Sequence, residues 1–237
     1  VVALKEERKE FPKRLGNSKE RERRNKDWGI ASFDALVSCP GFPPFIHTRS
    51  KKMRIVAGKF RSRLIQAPKG DQTRPTLDKV KEAVFSRIGP YFDGGVMLDL
   101  FAGSGQIGLE AISRGALHAV FIENNRKAAK CIEDNIAFTK FTKESRLLTT
   151  DVISGISSLE GKYTFDIIFM DPPYRQGLEE DVLRFLSKSS VLKPDTMIIV
   201  EASLDTDFSY LDELGFSVIK FKKYKTNMHV FIQQKRV

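Results

Sequence analysis

Cysteine is nearly missing from this chain: Cys39 and Cys131 are the only two in 237 residues, and they stand in no metal-ligand spacing. A disulfide scaffold and a structural zinc site are therefore set aside, and a reduced, cytoplasmic protein is the expectation. Histidine is as scarce. His47, His118 and His229 share no local context, so neither a histidine base nor a metal site has support. No apolar run approaches the roughly 20 residues that a membrane-spanning helix needs. Residues 1–26 are charged where a secretory leader would be apolar. No membrane is expected as a partner.

What is present is a hydrophobic content of 41%, enough for a large core, and a net charge of +10 from 40 basic and 30 acidic residues. Residues 1–52 carry 13 Lys and Arg against 7 Asp and Glu, which leaves 27 against 23 for the rest. The excess of positive charge fits a polyanionic partner. Between Lys5 and Asp27 apolar residues are sparse and lack helical spacing. Such a segment buries too little surface to offset its ordering entropy, so 1–52 is expected to be a disordered basic extension, ending in the linker signal Cys39-Pro40-Gly41-Phe42-Pro43-Pro44.

From Met53 to Ala67 apolar and basic residues alternate, which predicts a β-hairpin bent near Gly58. Arg54, Lys59, Arg61 and Arg63 would line its open face, where they suit phosphate contacts; for each of them the alternative is an ordinary edge guarded by charge. Thr76 as N-cap, Asp78 in the first turn, and Leu77, Val80, Val84 and Ile88 at helical spacing predict a helix that Gly89-Pro90 ends. From Val96 on, strands alternate with helices, as in a doubly wound, mostly parallel sheet. Asn125–Phe138 is one such helix, with Ala128, Ala129, Ile132, Ile136 and Ala137 inward and Cys131 a packing residue. Phe216–Phe221 and His229–Gln233 form a final antiparallel pair.

Two stretches carry chemistry. The first runs strand, turn, helix: Asp99-Leu100-Phe101-Ala102-Gly103-Ser104-Gly105, then Gly108. Gly103, Gly105 and Gly108 spell the dinucleotide fingerprint, and Glu123 follows about 20 residues later at the end of the next strand, where a ribose-binding acid belongs. Alone, this fits a nicotinamide enzyme. Asp99 argues against that, because an acid inside the strand before the glycines is poorly matched to a pyrophosphate and well matched to an ammonium group. The second stretch is Phe165–Met170, a buried strand that stops in Asp171-Pro172-Pro173-Tyr174. The prolines stiffen the turn. Asp171 and the proline carbonyls offer acceptors, and Tyr174 offers a ring on which a base can stack.

Asp171-Pro172-Pro173-Tyr174 resembles the catalytic motif of amino-methyltransferases that use S-adenosylmethionine. From Met53 to Val237 the chain resembles the RsmD family of 16S ribosomal RNA guanine-N2 methyltransferases. The residues that carry this are Met53-Arg54-Ile55-Val56-Ala57-Gly58, Thr73-Arg74-Pro75-Thr76, the glycine stretch from Asp99 to Gly105, and the Asp171 turn, in that order. The resemblance implies a Rossmann-like class I methyltransferase sheet, with 53–95 as an RNA-binding hairpin and donor lid and 96–237 as the methyltransferase domain. It implies S-adenosylmethionine as cofactor, held by Asp99, Phe101, Ala102, Gly103, Ser104, Gly105, Glu123, Asp151, Arg74 and Thr76. Asp151 would accept from the adenine amino group; its alternative is a helix N-cap. Asp171, Pro172, Pro173 and Tyr174 would be catalytic, Arg54, Lys59, Arg61 and Arg63 would bind RNA, and no metal would take part.

The implied substrate is one guanine of 16S RNA, guanine-966 in the family's usual name, within a small subunit or assembly particle, and the protein would act as a monomer. Residues 1–52 lie outside the resemblance; their alternative to disorder is an arm that folds on RNA. Two other functions compete: an adenine-N6 methyltransferase, and an RNA-binding assembly factor without catalysis.

Overall fold

Short apolar runs closed by glycine, proline or an acid become strands, and the amphipathic stretches between them become helices. The computed structural model describes residues 53–67, 81, 82, 84, 85, 92 and 94–235. A small antiparallel pair, β1 (Met53–Arg54) and β2 (Leu64–Ile65), precedes the main sheet. The main strands are β3 (Val96–Leu100), β4 (His118–Ile122), β5 (Ser145–Leu148), β6 (Phe165–Met170), β7 (Leu192–Ala202), β8 (Phe216–Lys223) and β9 (Met228–Gln234). Between them lie α1 (Gln106–Ser113), α2 (Arg126–Thr139), α3 (Val152–Leu159) and α4 (Leu178–Leu186). The sheet order is β5-β4-β3-β6-β7-β9-β8. β5 to β7 are parallel, and β9 inserts antiparallel between β7 and β8.

Strand order reverses between β3 and β6. In a doubly wound sheet that is where the carboxyl ends of two neighbouring strands open a crevice for ligands. Both chemistry-bearing stretches leave the sheet there.

Each central strand is apolar on both faces because helices cover both. Met97, Ile167, Phe169, Ile199 and Phe231 pack with α1 and α2 residues such as Leu109, Ile112 and Ile132. Leu98, Leu100, Ile168, Met170, Ile198 and Val200 pack with Ile156, Leu159, Leu183 and Leu186 from α3 and α4. Gly108 lets α1 lie close on the sheet: a Cβ there would sit 2.3 Å from the Phe121 ring.

Some details depart from the sequence reading. Ala137 is exposed, and Asn135 and Thr139 face inward instead. Asn135 is buried because it bridges three segments: its Oδ1 takes Gln66 N–H (2.8 Å), and its Nδ2 donates to Gln66 O and Ser104 O (both 3.0 Å). β7 begins at Leu192, with Pro194 inside a register irregularity opposite β6. Ser209–Leu211 forms a single turn of 3₁₀ helix. Lys81, Glu82, Val84 and Phe85 are helical, within the helix predicted from Thr76. Arg74, Thr76 and residues 1–52 lie outside the described residues.

The hairpin is docked on α1 by a buried acid. The fully buried Glu110 accepts Val56 N–H (2.7 Å) and Ala57 N–H (2.9 Å), and also Arg114 Nε–H (2.8 Å). Ser113 completes the seam by donating its hydroxyl to Ala57 O (2.7 Å) and accepting Phe60 N–H (3.0 Å), while its carbonyl accepts Lys59 N–H (2.8 Å). The approach is close enough that a Cβ on Gly58, at φ +82, would lie 1.8 Å from the Ser113 carbonyl oxygen.

Candidate active site

The periodicity of strands places the site. Leu100 pairs in register with Ile122 and Met170, and Met170 with Val200. Glu123, Asp171 and Glu201 therefore each stand one residue past a matched position, and Asp99 one residue before. Side chains alternate across a sheet, and the preceding odd-numbered residues Met97, Phe121, Phe169 and Ile199 all face α1 and α2. Four acids from four adjacent strands are thus aligned on one face, at one end of the sheet.

Asp99 is 2% exposed, and its Oδ2 takes Gly108 N–H (2.9 Å). Burial, eased by that N–H and reinforced by the charge of Glu123, pushes its carboxyl from the ordinary 3.8 up to about 8. Glu123 ties the glycine turn to the end of β4: Oε2 accepts Gly103 N–H and Oε1 accepts Asn125 N–H, both at 2.8 Å. The turn is built on left-handed residues, Phe101 (φ 56), Gly103 (φ 57) and Gly105 (φ 72). Around Gly103 a Cβ would meet nothing among the described residues closer than 3.9 Å, which leaves its backbone open to a ligand on that side. Ala102 N–H donates to Ile122 O (3.1 Å), and Ser104 O receives Asn135. A buried acid, an acid at the end of the next strand and an open glycine backbone together fit the ammonium, ribose and chain of an S-adenosylmethionine molecule.

Across the crevice Asp171 is half-buried, Pro172 buried, Pro173 exposed and Tyr174 half-buried. Burial first, then the charges of Glu201 and Asp99, raise the Asp171 carboxyl well above the usual carboxylate range. The Asp171 turn and the glycine turn leave neighbouring strands at the same end, so the sequence-predicted halves of the site come together.

Asp151 follows β5 and is exposed. It caps α3, its Oδ1 accepting Ser154 N–H (2.9 Å), and that bond holds its carboxyl below the usual range. The N-cap reading is thus realised. Arg54, Lys59, Arg61 and Arg63 are all exposed. The hairpin tip, however, meets the carboxyl end of α1 at Ser113, whereas the glycine turn precedes its amino end. Lys59 and Arg61 therefore branch from the part of the hairpin that meets the end of α1 opposite the glycine turn.

Sequence reasoning missed what lies under Tyr174. Glu201 is 8% exposed. Its Oε1 accepts Tyr174 O–H (3.2 Å) and Asn227 Nδ2–H, and its Oε2 faces His229 Nε2 (3.2 Å). Burial opposes its charge, but His229, Asn227 and Tyr174 together bring its carboxyl below the usual range. His229 is fully buried and is the register partner of Glu201. Only the β7–β9 pairing unites these two residues, and nothing local in the sequence signals it. Beside Tyr174 a cavity of about 520 Å³ is lined by Tyr174, Arg175, Ser203, Leu204, Asp205 and Thr226.

Comparison with known proteins agrees with this geometry. Residues 53–233 match the model of a family described as Conserved hypothetical protein 95. YlbH of Bacillus subtilis is 36% identical over 185 residues, which cover 78% of this chain and all of that protein. The ribosomal RNA small subunit methyltransferase D of Haemophilus influenzae is 30% identical over 181 residues, 73% of this chain and 94% of that one. The solved structure of yhhF from Escherichia coli superposes with a TM-score of 0.68 at 29% identity, covering 78% of this chain and 99% of that chain. On this sequence match and this site, the chain belongs to the RsmD family, that of ribosomal RNA small subunit methyltransferase D.

Proposed function

We propose that the chain transfers a methyl group from S-adenosylmethionine to the exocyclic N2 of one guanine in small-subunit ribosomal RNA, the position the family calls guanine-966. The observation that carries this reading is the Asp171-Pro172-Pro173-Tyr174 turn standing beside the glycine turn at the point where strand order reverses. The same sidedness disfavours an assembly factor without catalysis, which needs neither turn.

S-adenosylmethionine supplies the electrophilic methyl. Asp99 would meet its ammonium, Glu123 its ribose hydroxyls, and Phe101 to Gly105 would give backbone to the rest. Asp151 would keep part of its carboxylate for the adenine amino group, and Arg74 and Thr76, outside the described residues, would complete the donor site. Asp171 and the Pro172 carbonyl accept the two N–H bonds of the guanine amine. An exocyclic amine is a poor nucleophile because its lone pair is delocalised into the ring. Holding both N–H bonds as the nitrogen turns tetrahedral aims the lone pair and stabilises the charge that develops on it. The high affinity of Asp171 for a proton suits it to take the one that the methylated nitrogen sheds. Tyr174 presents its ring to the base after the base leaves its stack. Guanine adds N1–H beside N2–H, so one carboxylate can accept from both, where adenine offers a donor beside an acceptor.

The test is incubation of the protein with labelled S-adenosylmethionine and small subunits lacking the modification, followed by nucleoside analysis and mapping. N2-methylguanosine at one position is the expected product. N6-methyladenosine, or no transfer to subunits or free 16S RNA, would refute the assignment.

A further inference from the structure

We propose that Glu201, backed by His229, is a positioning residue: it fixes Tyr174 beside Asp171 and keeps a second negative charge behind the turn that receives the target amine. This rests on the methyl-transfer reading above.

Three elements converge on one carboxylate. Tyr174 comes from the turn after β6, Asn227 from the connection between β8 and β9, and His229 from β9, and all three address Glu201 near the end of β7. The hydroxyl of Tyr174 points at Glu201 (3.2 Å), so what remains for a base is the ring face. The Phe169 ring (centroids 6.4 Å) and the Tyr224 ring (5.0 Å) both meet the His229 imidazole edge-on.

A tyrosine could be anchored by a neutral amide at less cost. Glu201 instead places a carboxylate behind Asp171, on the same face of the sheet, where its charge opposes ionisation of Asp171. The consequence falls on Asp171. Its carboxyl is raised by burial and then by Glu201 and Asp99, which makes it a stronger acceptor for the amine and a better home for its proton. The groups that address Glu201 are Tyr174, Asn227 and His229, with Tyr224 alongside; those that raise Asp171 are Glu201 and Asp99.

Glu201→Gln keeps the side-chain length and an oxygen for Tyr174, removes the charge, and turns the atom that faces His229 Nε2 from an acceptor into a donor. Carbon-13 NMR titration of Asp171 in the full chain is expected to give a lower midpoint in this variant than in the wild type. The acid limb of the kcat profile on small subunits should move to lower pH with it, and kcat should fall about tenfold. The dissociation constant for S-adenosylmethionine should stay within about twofold, since Glu201 lies on the target side of the crevice. His229→Gln, which can offer an N–H near the place of Nε2, should retain more activity than His229→Phe.

An Asp171 titration unchanged by Glu201→Gln would overturn the inference, and so would equal activity of the two His229 variants. If circular dichroism shows that Glu201→Gln does not fold, the same titration in His229→Phe decides the matter. A wild-type protein inactive on small subunits would instead sink the methyl-transfer reading, and the NMR comparison would still decide the link between Glu201 and Asp171.

Discussion

At the scale of single residues, Asp99 holds the most telling charge. Its carboxyl lies at about 8 in the folded protein against an ordinary 3.8, so at neutral pH the folded chain keeps a proton that the unfolded chain has released. The stability this contributes is complete below about pH 4 and is lost as pH rises through about 8, with a slope that approaches about 1.4 kcal/mol per pH unit. Asp99→Asn is neutral throughout, and urea titrations at several pH values should find that part of the slope gone; an unaltered slope would contradict the assignment. The same ionisation couples to the donor. A cationic ligand favours charged Asp99, so S-adenosylmethionine should bind more weakly as pH falls below about 8, with release of a proton on binding. Calorimetry in buffers of different ionisation enthalpy measures both, and pH-independent binding would remove Asp99 from the ammonium site.

The hairpin of β1 and β2 poses the question at the scale of elements. Its strands are only two residues each, too short to persist without α1. Glu110→Ala would strand Arg114 and two backbone N–H groups in the interior, and should destabilise the protein by about 3–5 kcal/mol. Gly58→Ala combines a left-handed φ with a collision against backbone, and should cost at least about 1–3 kcal/mol. Denaturant midpoints check both, and faster hydrogen exchange at Val56 and Ala57 would localise the loss to the hairpin. The strands and helices of the main sheet were legible because each repeats its apolar residues at a period of its own. The docking was not. Glu110 sits at an unremarkable helix position, and the two hairpin N–H groups it accepts come from more than fifty residues earlier in the chain. The site shows the same division: Asp99, the glycines, Asp171 and Tyr174 announce themselves by local spacing, whereas Glu201 and Asn135 acquire meaning only from pairings that the folded sheet creates.

For the molecule as a whole, the separation of charge from chemistry matters most. Acids gather at the carboxyl ends of β3, β4, β6 and β7, while Lys59, Arg61 and Arg63 stand exposed on the hairpin. If the substrate is RNA, these cations act on phosphates and not on the reacting base. Lys59→Ala and Arg61→Ala should then each weaken binding of 16S RNA and reduce its salt dependence by about one counterion. Filter binding across a salt series measures that slope, and an unchanged slope would return both residues to the role of edge guards.

The central claim is that Asp171 receives the target amine opposite a donor seated on the neighbouring glycine turn. It is tested most directly by measuring, for Asp171→Ala beside the wild type, both methyl transfer to small subunits and the dissociation constant for S-adenosylmethionine. Transfer should fall by about a thousandfold or more while the dissociation constant stays within about threefold. Retained transfer, or equal loss of transfer and donor binding, would contradict the account.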